Sequence, residues 1–128
     1  MKTFFASICL LFSTFFSCQQ KGGDFKTVSA DEFATLIADP EVQRLDVRTV
    51  AEYSEEHIPG SINVNVLDEQ FAVVADSTLQ KDKPVALYCR SGKRSKKAAA
   101  ILSKNGYQVY ELDKGFNGWK AAGKETEK

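Results

Sequence analysis

Five short runs, in "DFKTVS", "EVQRLDV", "INVNV", "KPVALYC" and "YQVYEL", alternate along this chain with stretches of helical spacing, and the links between them are brief. Strand, helix and strand repeated in this way specify an α/β fold: a mostly parallel central sheet with helices on both faces. "KPVALYC" is the clearest strand, apolar and bounded by turn residues, and it runs directly into Cys89. With 128 residues, 43% hydrophobic and 27% charged, the chain has room for one globular domain plus a targeting segment.

The helical stretches carry their own punctuation. Ser29 with Glu32 makes a capping box for "ADEFATLIAD", whose Phe33, Leu36 and Ile37 share one face and which stops near Pro40. "TVAEYSEE" reads as a short helix, "HIPGS" (His57 to Ser61) as a turn, and "DEQFAVVAD" as a weaker helix. "SKKAAAILSKNG" has Ala98, Ile101 and Leu102 on one face and Gly106 as a C-cap, and "GFNGWKAAG" gives a last turn and short helix. The charged tail "GKETEK", residues 123–128, is expected to be disordered.

The first residues read as an export signal. Lys2 precedes "TFFASICLLFSTFFS", an apolar run too short and uncapped for a transmembrane helix. Ser17 is small but Phe15 is not, which departs from an ordinary signal-peptidase site. The segment instead resembles a bacterial lipoprotein signal, with residues 1–17 removed and Cys18 lipidated; the alternative is a retained hydrophobic anchor, which also tethers the domain outside the cytoplasm. Residues 18–24 then form a flexible polar tether, and the domain is expected outside the cytoplasm, periplasmic or in the cell envelope, held to the membrane by that lipid alone.

On this reading Cys9 leaves with the signal and Cys18 carries lipid, so Cys89 is the lone cysteine of the folded domain. A lone cysteine in an oxidising compartment has no internal disulfide partner. Its neighbours, in "CRSGKRS", are a poor wall for an inert apolar thiol pocket. In a parallel sheet ligands gather where strand ends lead into helix N-termini. There, inward-turned N–H groups and the helix dipole form an anion cradle, and Arg90, Lys93 and Arg94 add full charges. All of these favour thiolate over thiol. Seventeen basic and seventeen acidic residues cancel, so no net charge points to nucleic acid, and the Arg90–Lys97 cluster is the only dense one.

Spacing separates two chemistries for such a cradle. Cysteine-dependent phosphatases use C-x5-R to wrap a tetrahedral phosphate. Here Cys89 and Arg94 give C-x4-R, and Ser95 occupies the next position. The tighter loop suits transfer of one sulfur atom from an anionic donor.

Three motifs in order then resemble the single-domain rhodaneses, a family of sulfurtransferase modules, over residues 25–122. "LDVRTVAEYSEEHIPGSINVNV" resembles the family's first signature, "YCRSGKRS" its active-site loop and "LDKGFNGWKAAG" its closing segment. Glu56 stands in place of the family's usual Gly, Ser61 in place of Ala, and Lys114 in place of the first closing Gly. The resemblance implies a Cys89 persulfide, formed from thiosulfate or a polysulfide and passed to a thiol, or to cyanide in an assay. The backbone from Arg90 through Ser91, Gly92, Lys93 and Arg94 to Ser95 would hold the persulfide anion, with Arg94 orienting the donor and Arg90 and Lys93 at the rim.

Other residues take structural roles in this reading. By resemblance Asp46 braces loops, and Arg48 is expected to pair with Glu52 across a helical turn. His57 is expected to be structural, and Trp119 with Phe116 to close the core. No metal-ligand cluster and no nucleotide-binding glycine pattern appears, so neither metal nor cofactor is expected. The partners expected are a small anionic sulfur donor and a thiol acceptor, with no nucleic acid, and the chain is expected to act as a monomer. Two alternatives remain: a non-catalytic binding or regulatory module of the same fold, or a thiol-dependent reductase of an oxyanion such as arsenate.

Overall fold

The computed structural model describes residues 24–128; the expected signal, Cys9, Cys18 and all of the tether except Asp24 lie outside the described residues. Strands β1 (Lys26–Val28), β2 (Gln43–Asp46), β3 (Ile62–Asn63), β4 (Val85–Tyr88) and β5 (Val109–Leu112) alternate with helices α1 (Ala30–Ile37), α2 (Val50–Glu55), α3 (Phe71–Thr78), α4 (Lys93–Lys104) and α5 (Gly115–Ala121). The sheet order is β1-β5-β4-β2-β3 and every pairing is parallel, a stricter outcome than the mostly parallel sheet expected.

Burial explains why β4 is the most legible strand. It lies in the middle of the sheet with all four residues buried, so no position needed to be polar. Alternate residues serve opposite faces. Val85 and Leu87 join Phe71 and Ala75 of α3 and Ala98 and Leu102 of α4 in one core. Ala86 and Tyr88 join Phe33 and Ile37 of α1 and Phe116 and Trp119 of α5 in the other. The outer strands are the shortest, with three residues in β1 and two in β3.

Several boundaries differ from the sequence expectation. "INVNV" pairs as a strand only over Ile62–Asn63, after which single bonds from Val64 N to Asp46 O and Val66 N to Val47 O carry it along β2. α3 starts at Phe71, because the Asp68 carboxylate accepts from Gln70 N and its carbonyl accepts from Phe71 N, closing a turn ahead of the helix. α4 starts at Lys93 instead of Ser95, so Lys93 and Arg94 lie in its first turn.

The tail is not disordered. His57 and Glu127 exchange backbone bonds of 2.8 and 2.9 Å as an antiparallel bridge, and Trp119 Nε1 donates to Glu125 O at 2.7 Å. Thr126 Oγ1 reaches Glu56 Oε2 and Lys124 Nζ reaches Asp31 at 2.7 Å. The segment is polar in composition, but each residue from Lys124 to Glu127 has a polar partner on the body of the domain.

The connections decide where a site can form. From β4 the chain passes through α4 to β5 on one side, and from β2 through α2 to β3 on the other. The carboxyl ends of β2 and β4 therefore flank the crevice at which open α/β sheets bind ligands.

Candidate active site

Only Cys89, Arg90, Ser91 and Gly92 separate β4 from α4. Gly92 makes so short a connection possible: its φ of +102° lies in a region that side chains disfavour. With the backbone turned there, Gly92 N–H donates to Cys89 Sγ at 3.1 Å. Burial pushes the Cys89 thiol up, yet bonds from the Ser95 hydroxyl and from the N–H groups of Ser95, Gly92 and Ser91 outweigh it and hold the thiol below its ordinary range. The side chain is wholly buried. Its walls are unequal: an apolar core behind, a ring of N–H donors ahead. Arg90, Ser91 and Lys93 are exposed on the outside of the loop.

α5 props this loop from beside it. Phe116 N–H donates to Cys89 O at 2.8 Å and Asn117 N–H to Arg90 O at 3.0 Å. Two carbonyls are thus turned away from the sulfur, leaving the N–H groups to face it. Gly115 permits the approach, since a Cβ there would stand 2.6 Å from Cys89 O. Lys114, just before it, adopts φ +62° where the rhodanese pattern has glycine.

The end of β2 supplies a buried frame. Asp46 Oδ2 accepts from Arg48 at 2.7 Å and from the Tyr88 hydroxyl at 2.9 Å, and its Oδ1 accepts from Arg48 N–H at 2.9 Å. Arg48 also donates to Glu56 O at 2.7 Å and lies over Phe116, 4.4 Å from the ring centroid. Ser61 fits this network, with its hydroxyl 2.9 Å from that of Tyr88. Glu56 costs the backbone nothing, because its φ of −171° is ordinary extended chain.

The expected Arg48–Glu52 pair does not form, because Nε and Nη2 of the guanidinium are already taken by the Asp46 carboxylate and Glu56 O. Glu52 instead closes a capping box with Thr49 and takes Arg94 in a two-pronged ion pair, 2.8 and 2.9 Å. Arg94 holds the Glu52 carboxyl down at about 2. This bridge ties the first turn of α4 to the first turn of α2. Arg94 is therefore shared between the sulfur loop and a carboxylate, whereas Arg90 and Lys93 have no ion-pair partner among the described residues. His57 stacks on Tyr53 with centroids 3.8 Å apart, and its ring nitrogens meet Tyr53 O and Glu127, so it fastens the tail.

A cavity of about 220 Å3 opens beside the loop, lined by Arg48, Glu52, Glu56, Arg90, Phe116 and Lys120 among others. Lys120 is matched by Glu56 at 2.9 Å and Arg48 by Asp46, which leaves Arg90 as the unmatched cation of its wall. Among the described residues no three carboxylate, thiol or imidazole groups converge as a metal site would require.

This geometry has relatives. The family described as Rhodanese-like domain matches residues 29–122. The chain belongs to that family. As a rhodanese-like protein it is 33% identical over 99 residues to "Thiosulfate sulfurtransferase GlpE" of Coxiella burnetii, covering 76% of this chain and 89% of that protein. It is 34% identical over 94 residues to a protein named "Sulfurtransferase" from Allochromatium vinosum, covering 72% and 85%. Among solved structures, a rhodanese-related protein from Thermoplasma volcanium superposes with a TM-score of 0.71 at 26% identity, over 80% of this chain and 98% of that one.

For three contributors to the rhodanese-like site the role escaped the sequence reading, which gave Glu52 to Arg48 and assigned nothing to Gly115 or Glu111. Glu52 was legible in retrospect, since Thr49-x-x-Glu52 is a second capping box. Gly115 looked like part of a turn, and its contact with Cys89 O depends on tertiary packing. Glu111 gave one signal, a charge inside an otherwise apolar strand, and it proves fully buried.

Proposed function

We propose that this rhodanese-like domain is a sulfurtransferase in which Cys89 carries the sulfur. The observation that supports it most directly is the Gly92 N–H donating to the Cys89 sulfur at 3.1 Å at the N-terminus of α4, where the Ser91 and Ser95 N–H groups also hold the thiol down. Such a ring stabilises one negative charge without moving any charged side chain. The names of the relatives agree with sulfur chemistry.

The steps balance without a cofactor. Cys89 thiolate attacks the sulfane sulfur of thiosulfate or of a persulfide; the donor's S–S bond breaks, and sulfite or the donor thiolate leaves with the electron pair. The Cys89 persulfide keeps the negative charge on its outer sulfur, within reach of the same N–H groups. An acceptor thiolate then attacks that outer sulfur, the new S–S bond breaks on the Cys89 side, and the Cys89 thiolate returns. Arg90 and Lys93 attract the anionic donor at the rim, and Arg94, half committed to Glu52, orients it. The spent site carries no oxidised cysteine, so no resolving thiol is needed.

The full chain incubated with thiosulfate and weighed intact tests this. One added sulfur, lost on treatment with cyanide and absent in Cys89→Ser, is the expected result. No mass change with thiosulfate or with a low-molecular-weight persulfide would overturn the reading in favour of a non-catalytic module.

We further propose that the domain works outside the cytoplasm, tethered through lipid on Cys18. The support is the sequence alone: the apolar run after Lys2 and the small Ser17 ahead of Cys18.

A further inference from the structure

Glu111, the third residue of β5, is a fully buried carboxylate that the chemistry above does not use. Its Oε2 accepts from Thr27 Oγ1 of β1 at 2.8 Å, and its Oε1 accepts from Ser95 Oγ of α4 at 2.6 Å. Lys96 Nζ, half exposed, lies 3.2 Å from the same Oε1 and also donates to Gly92 O at 3.2 Å. A buried charge held by two hydroxyls and one partly solvated ammonium is costly to keep. Replacing it with an apolar residue would cost little packing, so its place under the sulfur loop calls for a reason.

Ser95 supplies the link. Its hydroxyl, which donates to Glu111 at 2.6 Å, is also one of the groups that hold the Cys89 thiol down, and a hydroxyl has one proton to donate. Two anions, the Glu111 carboxylate and the Cys89 thiolate, therefore face a single O–H. We propose that Glu111 is a positioning residue for the sulfur carrier: it competes with Cys89 Sγ for the Ser95 proton and so keeps the thiolate reactive, while Lys96 moderates the competition. This rests on the reading of Cys89 as the sulfur carrier.

The chemistry gains in both directions. A thiolate buried in too many donors is stable but sluggish, since nucleophilicity falls with thiol pKa. By drawing away one donor Glu111 limits that loss. Once the persulfide forms, Sγ is no longer an anion and the Ser95 hydroxyl donates to Glu111 without competition, which favours the loaded state. The other charged groups facing the sulfur are Arg94, held by Glu52 of α2, and, through Arg94, Asp46 of β2, held by Arg48. β1 brings Glu111 only the neutral Thr27 hydroxyl, and β4 sets apolar Leu87 in register with it.

Cys89 ionisation in the full chain, read as thiolate absorbance against pH and differenced against Cys89→Ser, tests the coupling. Glu111→Gln lowers the midpoint by about half to one pH unit, a roughly 3- to 10-fold change in the ionisation constant. Lys96→Met raises it, and that rise disappears in the Glu111→Gln background if it acts through Glu111. Ser95→Ala shrinks the effect of Glu111→Gln. An unmoved midpoint in Glu111→Gln, or a Lys96→Met shift of the same size in both backgrounds, overturns the proposal. Should Glu111→Gln fail to fold, the Lys96→Met shift is measured in the Ser95→Ala background instead, where a smaller shift is expected and one of undiminished size overturns the proposal. The measurement needs no substrate: a chain that shows the coupling yet takes up no sulfur refutes the functional reading alone, and the converse refutes only the role of Glu111.

Discussion

Serine at position 89 keeps the size of the side chain and loses the chemistry. Its hydroxyl stays protonated near neutral pH and oxygen cannot form a persulfide, so Cys89→Ser is expected to abolish thiosulfate-to-cyanide transfer. The N–H ring needs only an acceptor, so thermal unfolding of Cys89→Ser should stay close to wild type; retained transfer activity would refute the assignment. Arg94 is a subtler case, because its charge is already matched by Glu52 at 2.8 Å. Arg94→Ala not only removes a cation but exposes an unpaired carboxylate beside an anionic donor's path. The expected result is a raised donor KM and a kcat/KM lower by about one to two orders of magnitude, of the size of one lost charge-assisted bond. Adding Glu52→Gln should recover part of it. Unchanged steady-state constants in Arg94→Ala would assign donor binding to the backbone, Arg90 and Lys93.

Among the elements, α5 and α2 carry the load around the loop, and each exposes a measurable strain or charge. Lys114 enters α5 at φ +62°, a conformation that costs an ordinary side chain about 1–2 kcal/mol. Lys114→Gly is therefore expected to stabilise the fold by about 0.5–1 kcal/mol in chemical denaturation, after the entropy glycine brings to the unfolded chain; destabilisation would mean that Lys114 makes an unseen compensating contact. At α2 the Glu52 carboxyl is depressed from 4.5 to about 2, chiefly by Arg94. A depressed acid stabilises the fold above its unfolded pKa, and that stability is lost as pH falls from about 4.5 toward 2. The quarter-exposed pair is worth about 1–2 kcal/mol after screening. Glu52→Gln should thus be less stable near neutrality and show a flatter loss between those pH values; parallel acid-unfolding curves would contradict this. The same two helices show what a sequence does and does not reveal. Capping boxes and the β4 run are written in local spacing, so Ser29, Glu32 and Val85–Tyr88 were legible. Whether Arg48 takes Glu52 or Asp46 depends on which carboxylate the sheet delivers to it, and whether Glu111 meets Ser95 depends on the register of β5 under α4. No local spacing encodes either.

At the scale of the whole molecule, the domain is closed from behind by its own C-terminal residues, which clasp the His57 turn through Glu127 and cover Trp119 through Glu125. The polar composition that suggested disorder is what lets these residues pair with Glu56, Asp31 and Gly60. The proposed tether lies at the opposite end of the chain. Metabolic labelling with a fatty acid is expected to mark wild type and not Cys18→Ser, with the variant released from the membrane fraction; an unlabelled wild type would remove the lipid from the account. The sheet that holds the site also ends abruptly at both borders, with three residues in β1 and two in β3. A neighbouring copy laid against either border finds too few free ladder groups to add a strand of its own. Copies that meet along either border then lack the long free edge that templates strand addition between molecules.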